Sequence, residues 1–242
     1  PSNGEPIILP SQDIVLGLYF LTLQRSFEPG EGKIFADTSE VIAAYDSEVV
    51  SLHARIKVRI NGKLVDTTPG RVLIGEFLPE GLPFESINKV LNKKTIAKLV
   101  GEAYRLSGTK ATVLLCDKLK DMGYEFATQA GVTIGVNDLQ VPKKKMIIID
   151  QAKNDIASIQ DQYQEGIITR TEKYNKVVDV WTKATNDVAG LMMEQMATDI
   201  VTDPKTGKQE KNDSLNPIFM MSNSGSRGNA DQMRQLAGMR GL

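Results

Sequence analysis

Hydrophobic and polar positions recur with two different periods along this chain, and the change of period divides it. Ile14, Val15, Leu18 and Leu21 fall at helical spacing behind Ser11, whose hydroxyl offers an N-cap after Pro10. Tyr19 and Phe20 make this helix apolar on most sides, which predicts burial. Pro29-Gly30-Glu31-Gly32 reads as a loop, and a short helix is predicted from Glu40 to Tyr45. In Arg55-Ile56-Lys57-Val58-Arg59-Ile60 the period drops to two, as a half-buried strand requires. Asn61-Gly62 is the preferred pair for a type I′ turn, so Lys63 to Thr68 is predicted to return antiparallel. A third strand is predicted from Arg71 to Phe77, which would complete a small antiparallel meander. The basic residues on its outer face fit a solvated surface better than a nucleic-acid site.

Beyond Pro79 and Pro83 the helical period takes over. Ile96, Leu99, Val100 and Ala103 predict one amphipathic helix that ends at Gly108. Thr109 can cap a second, containing Val113, Leu114, Leu119 and Phe126 and ending near Gly131. From Lys143 onward Ile149, Ala152, Ile156, Ile159 and Tyr163 follow the three-four spacing of packed helices. Gly166 interrupts it, and Thr169 with Glu172 forms a T-x-x-E capping box. Tyr174, Val177, Trp181, Ala184, Val188 and Leu191 then repeat the spacing. Two such seams joined by a short turn predict an antiparallel helical hairpin over about residues 145–197, with arms of about 25–40 Å. Asp203 to Lys208 reads as a polar turn at the tip of an exposed loop. The predicted fold is α+β and mostly helical, with the meander in the N-terminal part and the hairpin in the C-terminal part. The predicted domains are an α+β domain over 1–140 and a helical one over 141–242.

Composition narrows the class. Of 242 residues 41% are hydrophobic and 24% charged, which excludes wholesale disorder. One cysteine, Cys116, excludes an internal disulfide and a multi-cysteine zinc site, and one histidine, His53, excludes poly-histidine metal sites. The formal net charge of -1 supplies no global field that would draw the chain onto nucleic acid. No apolar run approaches the length of a membrane helix and no signal segment opens the chain, so a soluble cytoplasmic protein is expected. Pro1 without an initiator methionine, and an end at Leu242 without a polar tail, read as cuts from a longer polypeptide.

Candidate chemistry is sparse. Thr206-Gly207-Lys208 lacks the upstream glycine of a phosphate-binding loop, and no G-x-G-x-x-G, G-x-S-x-G or H-E-x-x-H is present. His53 has no serine or cysteine partner nearby in sequence and reads as structural, as Cys116 reads as a packing or surface thiol. No Asp-x-Asp cluster suggests a magnesium site, so the chain carries no catalytic apparatus of its own. In Ser224-Gly225-Ser226-Arg227-Gly228, glycine-freed amides beside a guanidinium would suit a phosphate. The same residues also fit a glycine turn capping a helix near Asn229, with Arg227 solvated. Met233, Leu236 and Met239 continue at helical spacing, so this stretch is no linker.

Three stretches carry a resemblance. Gly4-Glu5-Pro6-Ile7-Ile8 with Pro10-Ser11-Gln12-Asp13 and Gly17 is the first, and Leu52-His53-Ala54-Arg55 the second. The third is Ser224-Gly225-Ser226-Arg227-Gly228 through Gln232-Met233-Arg234-Gln235-Leu236-Ala237-Gly238-Met239-Arg240-Gly241-Leu242. Together they closely resemble the largest (β′) subunit family of bacterial DNA-directed RNA polymerases, and Tyr174-Asn175-Lys176 and the Trp181 helix fit the same family. The likeness covers essentially the whole chain and is most specific at its two ends.

The resemblance implies a pore-like first domain and a funnel-like second domain around the secondary channel, through which nucleoside triphosphates enter. It implies channel-lining roles for Gln12, Asn175, Arg227, Arg234 and Arg240, and docking of transcription factors at the hairpin turn near Gln164 and Glu165. No cofactor is implied for this segment, since the magnesium and structural zinc of the full subunit belong elsewhere. The implied partners are the β, α, ω and sigma subunits, template DNA and RNA, nucleoside triphosphates and secondary-channel factors, with no membrane. The tight Asn61-Gly62 turn replaces a longer connection in many relatives, which affects only contacts made by that loop. The competing reading from residues alone is a free-standing adaptor whose hairpin binds a partner without any nucleotide role.

Overall fold

The apolar helix behind Pro10 is α1 (Asp13–Thr22), with Val15, Leu18, Tyr19 and Leu21 buried. The computed structural model describes residues 6–203, 207–229, 232, 235, 236 and 239. Ser11 is not the N-cap: the chain turns at Gln12 (φ 52, ψ -123), so helical dihedrals begin at Asp13 and Ser11 lies one residue too early. Gln12 caps with its backbone alone, its carbonyl accepting from the Leu16 amide at 3.1 Å.

Two compact units divide the chain. The first holds residues 1–133 and 198–227, and the second holds 134–197 and 228–242. The sequence reading placed residues 198–227 with the C-terminal domain; in the structure they pack with the N-terminal part.

In the first unit, β1 (Ile34–Phe35) pairs parallel with β2 (Ile56–Ile60), which pairs antiparallel with β3 (Lys63–Thr67). Helix α2 (Thr38–Asp46) lies between β1 and β2 in sequence, with Asp37 capping it by accepting from the Glu40 amide at 2.8 Å. The period-two pattern of β2 is realised, since Ile56 and Val58 are buried while Lys57 and Arg59 are exposed. The register Ile60↔Lys63 closes on Asn61 and Gly62, both left-handed (φ 50 and 79), as a type I′ turn demands.

The predicted third strand is instead α3 (Pro69–Gly75). Thr68 Oγ1 accepts from the Arg71 amide and Pro69 stands at the start, two local signals for a helix N-terminus. The misreading has a physical cause. Val72 packs in the sheet's cluster and Ile74 in the helical cluster, so this short helix is buried on two sides and carries an apolar run, Val72-Leu73-Ile74, of the kind a buried strand also carries.

α4 (Lys93–Ala130) begins with a capping box between Asn92 and Thr95 and ends at left-handed Gly131. Gly108 (φ 77, ψ -179) breaks it into two helical segments, at the residue where the sequence predicts one helix to end. α1 crosses α4 at very short range. A Cβ built on Gly17 would lie 1.8 Å from the Gly123 carbonyl oxygen, so only glycine permits the approach. Around this crossing Val15, Leu18 and Leu21 share one core with Leu115, Leu119, Met122 and Phe126.

The second unit carries the predicted hairpin, α5 (Lys145–Gln164) packed on α6 (Arg170–Met196). The capping box forms as read: the Thr169 hydroxyl accepts from the Glu172 amide, and the Glu172 carboxylate accepts from the Thr169 amide at 2.8 Å. Ala152, Ala184 and Val188 are buried, while Trp181 is half-buried and Tyr174 exposed, so the seam is tighter at its base than near the turn.

After α6 the chain forms a hairpin of β4 (Thr198–Thr202) and β5 (Gln209–Asp213) that the sequence did not announce. Its connection is the polar turn read at 203–208, and residues 204–206 lie outside the described ones. Asn212 Oδ1 of β5 accepts from the Ser26 amide at 3.1 Å, across 186 positions of sequence. α7 (Pro217–Ser224) follows, with Asn216 as N-cap, Pro217 at its first position and left-handed Gly225 at its end. The mostly helical α+β class therefore stands, with the corrections at 71–77 and 209–213.

Candidate functional site

The first unit brings Ser224 to Arg227, the start of the third stretch, to the first stretch at α1. α7 packs beside α1, with Met220 against Leu16, Tyr19 and Leu23. Asn223 Nδ2 donates to the Tyr19 hydroxyl at 2.8 Å, and burial pushes the Tyr19 phenol above its ordinary value despite that bond. Beyond left-handed Gly225, Arg227 Nη2 pairs with Asp13 Oδ1 at 3.1 Å. Arg227 thus stands beside the residue that follows Gln12, 214 positions away in sequence. Gln12, Asp13 and Arg227 are all solvent-accessible, with Gln12 and Arg227 exposed.

Of the two readings of Ser224 to Gly228, the amides of Gly225, Ser226 and Arg227 take the glycine turn rather than an open nest. The Gly225 amide donates to Ser222 O at 3.1 Å, that of Ser226 to Ser224 Oγ at 3.2 Å, and that of Arg227 to Met221 O at 3.2 Å. These donors end α7 rather than open toward a ligand, which leaves the guanidinium as the cationic feature of the segment. The Asn229 and Gln232 amides each bond the other's side chain, at 3.0 and 2.8 Å, a reciprocal cap of the kind read near Asn229.

Asn175 lies in the second unit, exposed on α6. Gln164 closes α5 and Glu165 is its C-cap, both exposed at the turn, where Gly166 is left-handed (φ 75). Arg234 and Arg240 lie outside the described residues. Sequence reasoning quoted Asp13 only as part of a motif and gave it no role. A lone carboxylate at a helix start carries no signal of a partner so far along the chain.

The remaining reactive groups are accounted for by packing. His53 is buried edge-on against Phe20, ring centroids 4.7 Å apart, and burial pulls its pKa below the ordinary value, with a bond to the Leu23 backbone acting the other way. Burial pushes the Cys116 thiol up, which makes it less nucleophilic at neutral pH. Cys116 borders a groove of about 1120 Å³ between residues 6–10 and α4, where Ile7, Ile8, Tyr104 and Val113 are exposed. None of the sequence-expected site residues among the described residues lines that groove. Among the described residues no group of three or more His, Cys, Asp or Glu side chains is arranged to hold a metal ion. Among the described residues no helix is long and apolar enough to cross a membrane.

Comparison with known proteins covers both ends of the chain. Residues 1–139 match the family described as RNA polymerase Rpb1, domain 3, and residues 168–242 match RNA polymerase Rpb1, domain 4. The chain is also 52% identical, over all 242 of its residues, to the DNA-directed RNA polymerase subunit beta' of Syntrophobacter fumaroxidans (strain DSM 10017 / MPOB), and spans 18% of that protein's length. A match over this much of the chain, joined to the resemblance already carried by its two ends, places the chain in the RNA polymerase Rpb1 family, with that family's domains 3 and 4.

Proposed function

We propose that this chain is a non-catalytic segment of the largest subunit of a DNA-directed RNA polymerase, a nucleotidyltransferase of the cytoplasm. In that enzyme it lines the secondary channel by which nucleoside triphosphates reach the catalytic centre, and it presents the α5–α6 hairpin to transcription factors. The first unit serves as pore and the second as funnel. The observation that carries the reading is the 52% identity over the whole chain to a subunit beta'. The geometry is compatible with it, because an exposed guanidinium at a solvated wall attracts a triphosphate without caging it. Its partners are the β, α, ω and sigma subunits, template DNA and the RNA product, with magnesium and zinc held elsewhere in the subunit. Two-metal chemistry needs clustered carboxylates, so the isolated segment is expected to incorporate no nucleotide.

The test uses the assembled polymerase. Elongation rate is measured against nucleotide concentration for Arg227→Ala beside the parent enzyme. Losing one charge-assisted contact costs at most about 1.5–3 kcal/mol, and screening at an exposed side chain favours the low end, so the apparent KM should rise by about tenfold. Substitutions at Gln164 and Glu165 should weaken binding of transcript-cleavage factors while folding is unchanged. An unaltered KM would remove Arg227 from the channel, and unaltered factor affinity would remove the hairpin turn from docking.

A further inference from the structure

The backbone of Arg227 is fixed from behind. Its amide donates to Met221 O at 3.2 Å, Ser226 Oγ donates to the same carbonyl at 3.2 Å, and left-handed Gly225 and Gly228 bracket the turn. α7 itself is tied to α1 by the Asn223–Tyr19 hydrogen bond and the packing of Met220. The position of the Arg227 Cα relative to α1 is therefore defined. Its side chain is not defined in this way: the group is 57% exposed and carries several rotatable bonds. Among the described residues it makes one ion pair, through Nη2 to Asp13.

Asp13 is well suited to hold that side chain. It is the first residue of a buried helix, its side chain is short, and a carboxylate is favoured in the first turn by the partial positive charge of the helix N-terminus. A single nitrogen–oxygen contact occupies one corner of a planar group with five N–H donors, so the others remain available to an anion. Exposed ion pairs contribute little to folding. The consequence of this one lies in confining a flexible guanidinium before its ligand arrives.

We propose that Asp13 is a positioning residue for Arg227, holding one edge of the guanidinium so that its other edge meets a phosphate oxygen of an incoming nucleoside triphosphate. The inference rests on the reading of Arg227 as a nucleotide contact. The experiment measures elongation against nucleotide concentration in the assembled polymerase for Asp13→Ala, Asp13→Glu, Arg227→Ala and the Asp13→Ala/Arg227→Ala pair, with melting temperatures alongside. Asp13→Ala should raise the apparent KM by about two- to fivefold, the range an exposed pair can carry, with kcat and melting unchanged. Asp13→Glu should restore most of the loss, because the carboxylate still reaches. The double variant should be no worse than Arg227→Ala alone, and the effect should shrink as salt is raised. If Arg227→Ala raises KM and Asp13→Ala does not, the positioning role is overturned and the reading of Arg227 stands. If Arg227→Ala has no effect, that reading itself fails. A lower KM in Asp13→Ala would show that Asp13 only offsets charge, and lower melting with lower kcat would show a structural role; either result overturns the inference.

Discussion

Replacing Gly17 by alanine should force α1 and α4 apart. The added Cβ would stand 1.8 Å from the Gly123 carbonyl oxygen and 2.7 Å from the Ala127 nitrogen, where ordinary contact begins at 3.4 Å. Both obstacles are backbone atoms, so no side chain can rotate away and the helices must separate. Separation by even 0.5–1 Å forfeits about a quarter to a half of the dispersion attraction across a contact. The contacts at risk join Val15, Leu18 and Leu21 to Leu115, Leu119, Met122 and Phe126. Overpacking typically costs about 1–3 kcal/mol, with more where relief is blocked, and alanine's helix preference returns about 1 kcal/mol. With both obstacles in backbone the gross cost should exceed that range, at about 3–4 kcal/mol, which leaves a net loss of about 2–3 kcal/mol in the first unit. The single tryptophan, Trp181, sits in the second unit and its fluorescence would report on the hairpin instead. Hydrogen exchange of α1 and α4 amides is the appropriate assay, with protection falling by roughly 30- to 150-fold. Gly101→Ala is the control, since it lies in α4, the helix that α1 meets, and its Cβ would meet nothing within 4 Å. That variant should gain up to about 1 kcal/mol. Unchanged protection in Gly17→Ala, or an equal loss in Gly101→Ala, would refute the close-crossing argument.

Four further outcomes follow from the same structure. Trp181→Ala should cost about 1–2 kcal/mol, below the about 3–5 kcal/mol of a fully buried aromatic, because Trp181 is half-buried; exchange of α5 and α6 amides measures it. Thr169→Ala should fray the start of α6 at a cost of about 1 kcal/mol, visible as faster exchange in that turn. The Thr169 amide, and then its hydroxyl, hold the Glu172 carboxyl below its ordinary 4.5, so the cap is complete above that value and lost as pH falls through the lower folded one; carboxyl chemical shifts follow this. His53 has a folded pKa depressed by burial, so its contribution is whole above the unfolded value of 6.5 and declines as pH falls toward the folded one. His53→Phe should flatten the first unit's stability profile below pH 6.5, as read by urea unfolding at several pH values.

Several features could be read from the chain because a few neighbouring residues encode them. The strict alternation of 55–60, the Asn61-Gly62 turn, the break at Gly108 and the Thr169–Glu172 box each satisfy backbone geometry or backbone hydrogen bonds within a span of some six residues. The hairpin of α5 and α6 was legible because its partners are adjacent in sequence and share one period. The family was legible at the two ends, in motifs whose residue identities, rather than their spacing, carry the likeness.

Tertiary structure decided the rest. Residues 72–74 form an apolar run because α3 is buried against two clusters, and a run that short fits a buried strand as well as a helix until the Thr68 cap and Pro69 are weighed. Residues 209–213, Gln-Glu-Lys-Asn-Asp, have no apolar period at all, and they form β5 by pairing with β4, with Asn212 buried and bonded to the Ser26 amide. The glycines at 17 and 123 look like helix weaknesses in sequence and become the contact that sets how closely α1 meets α4. The candidate site divides in the same way. Gln12 and Arg227 were recognisable as residues, but the carboxylate that pairs with the arginine became visible only when folding closed 214 positions of chain onto the start of α1. Local rules encode turns, caps and periods; an ion pair between distant segments depends on the packing of everything that brings them together.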